Sequence, residues 1–414
     1  SKGVMNWKPN YSQAGNYEFK IVGTDNDPNP LKDSKIFKIE VVNVNRKPNL
    51  QEVSDQDIEE NTSIKIIDVN DEETGNDLDI DSEKITYSCL FTMNNPKGKN
   101  NFFKSANVKK ILKKDYRKDI RDLTNLKKVI KKNKPQIIFH LAAQSSVIQS
   151  FKNSSETITT NVLGTANILE AIKDFNFVKS VVIITTDKVY QNYKEQKYFN
   201  ENSQLGGDDI YSGSKACCEL LTHSYRKSFF ENTNCCIATV RAGNCFGGGD
   251  WTPERIVKDI LENFHNNKKL ILRNPNATRP WQHVLEPLVG YLLLAEKLYT
   301  EKGHIFSQAW NFGPNLKQNM KVKNLVQIFK RKMNSKSKII INRRSKKFHN
   351  KKINIFESKH LNINSKKITT KLGWKPKLSI LNSVDLTYEW YSAFKKKKDL
   401  LKLTKNQIKY YLDL

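Results

Sequence analysis

From Asp115 onward the chain alternates short apolar stretches with longer amphipathic ones, and this alternation restricts the fold more than any other property. Ile137–His140 (IIFH), Val181–Thr186 (VVIITT) and Cys236–Gly243 (CIATVRAG) read as buried strands. Helical stretches separate them, and strand–helix repetition at this spacing implies a parallel sheet covered by helices on both faces. Glu156–Lys173 is one such helix, with Ile158, Val162, Ala166, Leu169 and Ile172 on a single face, as a sheet-covering helix requires.

The first hundred residues follow a different rule. Asn16–Val22 (NYEFKIV) and Lys35–Val42 (KIFKIEVV) alternate as half-buried strands do, with the turn cluster TDNDPNP (Thr24–Pro30) between them. A linker, Asn43–Leu50, leads to a strand at Ser63–Val69, and an acidic loop, Asp68–Ser88, enters another strand. Residues 1–96 are therefore expected to be all-β.

A formal charge of +27 raises the question of nucleic acid. Residues 1–100 hold about 12 Lys/Arg against about 18 Asp/Glu, so the whole excess lies later. There it is mostly lysine scattered among asparagine and isoleucine, with no aromatic-plus-arginine motif of an RNA- or DNA-binding module. A compositional bias explains it, and no nucleic-acid partner is expected. The six cysteines, Cys89, Cys217, Cys218, Cys235, Cys236 and Cys245, form neither a zinc spacing nor a disulfide framework and are expected as free buried thiols. No apolar run is long enough for a membrane segment, and no basic-then-apolar start suggests a signal peptide.

The sharpest chemical signal is Tyr211-Ser212-Gly213-Ser214-Lys215. Residues at i and i+4 share a helix face, so the Lys215 ammonium is expected near the Tyr211 phenol, lowering its pKa and preparing it to take a proton from a hydroxyl. Thr185-Thr186-Asp187-Lys188 ends an apolar strand upstream, and strand C-terminal ends are where open α/β sheets place their ligands. His140 ends a buried strand and reads as a packed residue, while His283 suits either a structural or a substrate-facing role. Gly247–Gly249 follows a late strand without phosphate-loop spacing and reads as a turn shaping the pocket.

Read in order, further stretches continue the pattern: DIRD (Asp119–Asp122), HLAAQ (His140–Gln144), TNVLGT (Thr160–Thr165), TTDKVYQN (Thr185–Asn192) and LGGDDIYSGSK (Leu205–Lys215). RAGNCFGGGDW (Arg241–Trp251), RNPNATRPWQHVLEPLVGYLLLA (Arg273–Ala295), NFGP (Asn311–Pro314) and LGWKP (Leu372–Pro376) extend it. This series resembles the CDP-glucose 4,6-dehydratase family of extended short-chain dehydrogenases/reductases. Lys188 after Thr-Asp separates it from relatives acting on dTDP-glucose or GDP-mannose, which typically carry Glu there.

The resemblance implies NAD as cofactor and CDP-glucose, or a related sugar nucleotide, as substrate. It implies Tyr211, Lys215 and Thr186 at the C4 oxidation, Lys188 as the base at C5 and Asp187 as the acid at the C6 hydroxyl. Asp119, Ile120, Leu141, Ala142, Ala143 and Lys215 are implied as cofactor contacts, and Gln144, Asn244, Arg255, Arg279 and His283 as substrate contacts. Pairing of two chains into a homodimer is common among relatives. A cytoplasmic location follows from the enzyme part, whereas the N-terminal part suggests a cell-surface origin.

One element of the family pattern is missing. Its members begin with a strand, a G-x-x-G-x-x-G turn and a helix whose N-terminus receives the NAD pyrophosphate. Between Gly75 and Gly164 the only glycine is Gly98, and the match starts at about Asn101–Lys109. The N-terminal part instead resembles cadherin-like or immunoglobulin-like modules, in which Asp77, Asp79 and Asp81 are calcium candidates; the cations Arg46 and Lys47 in the linker favour a solvated acidic loop.

The expected architecture is α/β, a Rossmann-like doubly wound parallel sheet lacking its first strand and glycine loop, with a smaller C-terminal substrate domain. An all-β cadherin/Ig-like region precedes it. The expected domains are a partial β-sandwich module at 1–47, a second partial β module at 48–96, a truncated NAD-binding domain at 97–250 and an interleaved substrate-binding region at 251–414. Loss of the glycine turn predicts weak NAD binding and impaired or absent activity. The alternatives are a calcium-binding, adhesion-type extracellular protein and a non-catalytic sugar-nucleotide binder.

Overall fold

The computed structural model describes residues 15–24, 32–41, 64–66, 102–112, 114–191, 198–253, 255–315, 319–341, 346–348, 351–353 and 361–414. The chain forms two compact units, Ser1–Ile85 and Thr86–Leu414. In the first, β1 (Gly15–Thr24) pairs antiparallel with β2 (Lys32–Val41), from Gly15 opposite Val41 to Thr24 opposite Lys32. A short β3 (Ile64–Ile66) runs parallel to β2. β1 and β2 fall on stretches of alternating apolar and polar residues, the pattern a ladder favours. The calcium candidates Asp77, Asp79 and Asp81 lie outside the described residues.

The second unit is built on a parallel sheet of β4 (Ile137–His140), β5 (Ser180–Ile184), β6 (Cys236–Ala242) and β7 (Ala309–Phe312), in that spatial order. Among the described residues β4 is an edge strand, paired only with β5. The helices used below are α1 (Leu123–Asn133), α2 (Gly164–Ile172), α3 (Ile210–Tyr225), α4 (Leu285–Tyr299), α5 (Ile380–Lys395) and α6 (Leu400–Leu412). None of the described helices is long and apolar enough to cross a membrane.

Alternation along the strands divides the core between the two sheet faces. Val181 and Ile183 of β5 pack with Leu126 and Ile130 of α1 and Ile168, Leu169 and Ile172 of α2. Val182, between them in sequence, packs on the other face with Leu294 and Leu298 of α4 and with Trp310 and Phe312 of β7. Because β7 comes from the C-terminal half and completes the sheet beside β6, that half contributes to the parallel sheet as well as to its own core. That second core gathers Phe246, Ile260, Phe264, Leu325, Phe329 and Trp390.

Two expectations change. The helix anticipated over Glu156–Lys173 contains a π turn at Thr159–Leu163. A π turn holds more residues than an α turn, so the face presented before it differs from the face after it. Ile158 and Leu163 are consequently exposed, while Thr157, Thr160, Asn161 and Thr165 turn inward; Leu169 and Ile172 are buried as expected. Among the described cysteines, all free, Cys218, Cys235 and Cys236 are buried, but Cys217 and Cys245 are exposed.

Candidate active site

The expected catalytic residues converge where β5 and β6 end beside the start of α3. Asp209 caps that helix, accepting hydrogen bonds from the Ser212 amide (2.9 Å) and hydroxyl (2.6 Å). Capping fixes where the first turn begins, and with it the placement of Tyr211 and Lys215 on one face. Both are buried. Lys215 Nζ donates to the Ile184 carbonyl at 2.9 Å, anchoring α3 to the last residue of β5. Burial lowers the pKa of this ammonium. Burial also pushes the Tyr211 phenol up to about 12, outweighing the hydrogen bond with Thr186 and the Arg255 charge that draw it down. In the free chain the phenol is thus not lowered as its spacing from Lys215 suggests, because desolvation of the phenolate dominates.

Immediately after β5, Thr186 is extended and donates its hydroxyl to Asp187 Oδ1 at 3.1 Å. Lys188 Nζ reaches the same carboxylate oxygen at 3.5 Å. Asp187 is fully buried, and its other oxygen, Oδ2, has no hydrogen-bond partner among the described residues. Gly243, at the end of β6, lies against that oxygen, where a Cβ would collide with it and with Pro280. The strand end therefore requires glycine so that backbone and carboxylate can approach.

Other unsatisfied buried atoms lie on the adjoining segments: Asn244 Oδ1, Gln282 Oε1 and His283 Nε2. Such atoms are costly to bury without partners, so their concentration in neighbouring loops marks a place built for a polar molecule. Cys245–Phe246 and Gln282–His283 pair in parallel, and the Gln282 amide donates to the Asn244 carbonyl at 3.5 Å. Asn244 takes a left-handed φ of 36°. His283 Nδ1 accepts from the Leu285 amide at 3.3 Å, and burial pushes the imidazole down to about 4. It is therefore neutral at pH 7 with its proton on Nε2, a donor free for a ligand.

The remaining expected contacts divide. Arg255 is exposed and donates to the Ser145 carbonyl at 2.9 Å, close enough to Tyr211 to bias its ionisation. Arg279 is buried and donates to the Thr278 carbonyl at 2.9 Å. Gln144 is committed internally: its amide nitrogen donates to Thr157 Oγ1 (2.8 Å) and the Ser146 carbonyl (3.0 Å), and its oxygen accepts from the Ser146 amide (2.5 Å). Leu141, Ala142 and Ala143 follow β4 at the sheet's C-terminal edge, with Leu141 exposed. Asp119 is engaged by Arg121, and Ile120 is in the core, its side chain against Gly164 and its carbonyl accepting from the buried Asn167 at 3.1 Å. His140 is buried, hydrogen-bonded to Thr165 Oγ1 at 3.1 Å and pushed down to about 3, a packed residue. Cβ atoms at Gly248 and Gly249 would strike Trp390 and Phe102, so that glycine run is a packed turn.

Two groups escaped the motif-based reading. Asn161, in the π turn, accepts from the Gln144 amide (2.8 Å) and donates to Ser214 Oγ (2.9 Å), tying the end of β4 to α3. Glu219 is buried on α3 beneath the catalytic pair, and an acid on a face that should be apolar was the available signal.

The chain is similar to known proteins over most of its length. Residues 91–387 match the family described as GDP-mannose 4,6 dehydratase. The chain is 38% identical over 299 residues to CDP-glucose 4,6-dehydratase of Salmonella typhimurium, covering 71% of this chain and 81% of that protein. It is 26% identical over 274 residues to the dTDP-D-glucose 4,6-dehydratase of Homo sapiens, covering 66% of this chain and 73% of that one. Among solved structures, dTDP-glucose 4,6-dehydratase from Bacillus anthracis in complex with NAD superposes with a TM-score of 0.56 at 22% identity, covering 69% of this chain and 82% of that one. UDP-glucose 4-epimerase from Thermotoga maritima with UDP-glucose gives a TM-score of 0.60 at 19% identity, covering 74% and 99%.

Proposed function

The chain belongs to the GDP-mannose 4,6-dehydratase family, and on that premise we propose that it is a nucleotide-sugar 4,6-dehydratase acting on CDP-glucose. The observation that carries this reading is the meeting of Thr186, Asp187 and Lys188 with Tyr211 at one strand end, with an Asp187 oxygen left unpartnered. Tyr211, with Thr186 hydrogen-bonded to it, takes the proton from the C4 hydroxyl. Lys188 then removes the C5 proton, made acidic by the neighbouring 4-ketone, while Asp187 delivers a proton to the departing C6 hydroxyl. Water leaves, and the product is CDP-4-keto-6-deoxyglucose. Asn244, Arg279 and His283 supply polar groups for the sugar nucleotide, and the planar guanidinium of Arg279 suits its diphosphate.

NAD, when bound, supplies the hydride acceptor at C4 and the donor at C6. A residue fitting its nicotinamide-ribose end is present: among the described residues Lys215 Nζ donates to Ile184 alone, and an ammonium has three donors. For the pyrophosphate end, Gly98 is the only glycine between Gly75 and Gly164, so a glycine turn is lacking there. The chain as it stands accordingly holds NAD weakly. On this reading the two partial cadherin-like modules, 1–47 and 48–96, precede the enzyme part, whose family match begins at residue 91.

Incubation of the purified chain with NAD and CDP-glucose, dTDP-glucose or GDP-mannose, following ketosugar formation, tests the assignment. Turnover of CDP-glucose supports it, and turnover of another substrate alone reassigns the base. No turnover at saturating NAD overturns it, and calorimetric titration measures the NAD affinity separately.

A further inference from the structure

We propose that Glu219 is a positioning residue that sets the height of Tyr211 and Lys215 against the end of β5. This rests on the dehydratase reading of the same site. Glu219 follows Lys215 by four residues and Tyr211 by eight, on the same face of α3. Its buried carboxylate is filled on both oxygens. Oε1 accepts from Thr185 Oγ1 (2.5 Å) and Arg241 Nε (3.0 Å), and Oε2 from Thr239 Oγ1 (2.6 Å) and Arg241 Nη2 (2.9 Å). Thr185 immediately precedes Thr186, and Arg241 stands two residues before the glycine that touches Asp187.

The network continues outward. Arg241 Nη1 donates to Tyr190 Oη (2.9 Å) and to the Glu201 carbonyl (3.2 Å), and Tyr190 Oη donates to Asn311 Oδ1 (2.6 Å) on β7. Tyr190 directly follows the turn Asp187–Val189. One carboxylate thus joins α3 to the ends of β5 and β6 and, through Arg241 and Tyr190, to β7. Burial alone would raise the Glu219 carboxyl, but the Arg241 guanidinium and the threonine hydroxyls override it and keep the group ionised.

A buried ion pair is a poor source of stability, since apolar replacements of similar volume are often as stable, but its directional bonds fix geometry. Stability and position can therefore be separated. Glu219→Gln and the double variant Glu219→Leu/Arg241→Met are compared with the unaltered chain for kcat, KM and melting temperature. The fluorine NMR resonance of Tyr211 in fluorotyrosine-labelled protein, assigned by its loss in Tyr211→Phe, reports the ring's surroundings whether or not the chain turns over.

The expected result is a folded double variant with kcat lowered about 100-fold, KM for CDP-glucose changed less than about twofold, and a displaced Tyr211 resonance. A folded double variant with unchanged kcat and resonance overturns the proposal. So does one that fails to fold, because Glu219 would then serve the fold and not the placement. If the unaltered chain is inactive, the reaction assignment fails, and the resonance alone decides on Glu219.

Discussion

Tyr411 Oη donates to Glu286 Oε2 at 2.6 Å, joining the C-terminal helix α6 to the first turn of α4 across 125 residues of sequence. The same buried carboxylate accepts the amides of Lys377 (2.9 Å) and Leu378 (2.6 Å), so three distant segments meet on one side chain. Burial raises the pKa of Glu286, against the opposing effect of these donors. The folded state therefore holds the proton more tightly than the unfolded state, and stability falls as pH rises from the ordinary glutamate range through the raised value. Melting temperatures measured against pH should show this fall in the unaltered chain, and Glu286→Gln should flatten that part of the profile.

Tyr211 provides the second prediction. With its phenol at about 12 in the free chain, the deprotonated form is scarce at neutral pH. The kcat/KM for CDP-glucose should rise with pH and reach no plateau below roughly pH 9. Tyr211→Phe should abolish ketosugar formation while leaving the melting temperature and circular dichroism spectrum unchanged.

The approach of Gly243 to Asp187 makes a third test. Gly243→Ala places a methyl group against Asp187 Oδ2 and 2.8 Å from Pro280 Cγ. The carboxylate must shift, and proton delivery to the C6 hydroxyl should slow. A loss in kcat of about 100-fold is expected, with a stability cost of about 1–3 kcal/mol measured by urea unfolding.

Asn244→Gly separates backbone from side chain. Glycine tolerates the left-handed φ of 36°, so the turn survives while the unpartnered Oδ1 is deleted. Stability should change by less than about 1 kcal/mol. Calorimetry should show CDP-glucose binding weakened by about tenfold, or about 1.4 kcal/mol.

What was legible in the sequence was what is local. Tyr211 and Lys215 share a face because helical periodicity requires it, and Thr186 to Lys188 lie at a strand end because an apolar run stops there. The internal bonds of Gln144 were not legible: its partner Thr157 and its backbone's partner Asn161 lie 13 and 17 residues away, beyond any local pattern. The apolar face anticipated through Ile158 presumed unbroken α periodicity, which the π turn interrupts. Glu219 was visible as a letter, but its role depends on Thr185, Thr239 and Arg241 from two strands, and pairing of strands is what a single sequence shows least.

The π turn at Thr159–Leu163 also behaves as a phase shifter. Thr157 before it and Thr160 and Asn161 within it are buried; after it, Ile168, Leu169 and Ile172 pack against the sheet. Loss of one residue here would be a rotation more than a shortening, turning one half by roughly a third of a revolution relative to the other. Either the polar anchors or the apolar stripe would then face the wrong way, so the length of this segment is closed to insertion and deletion even where its individual side chains can be exchanged.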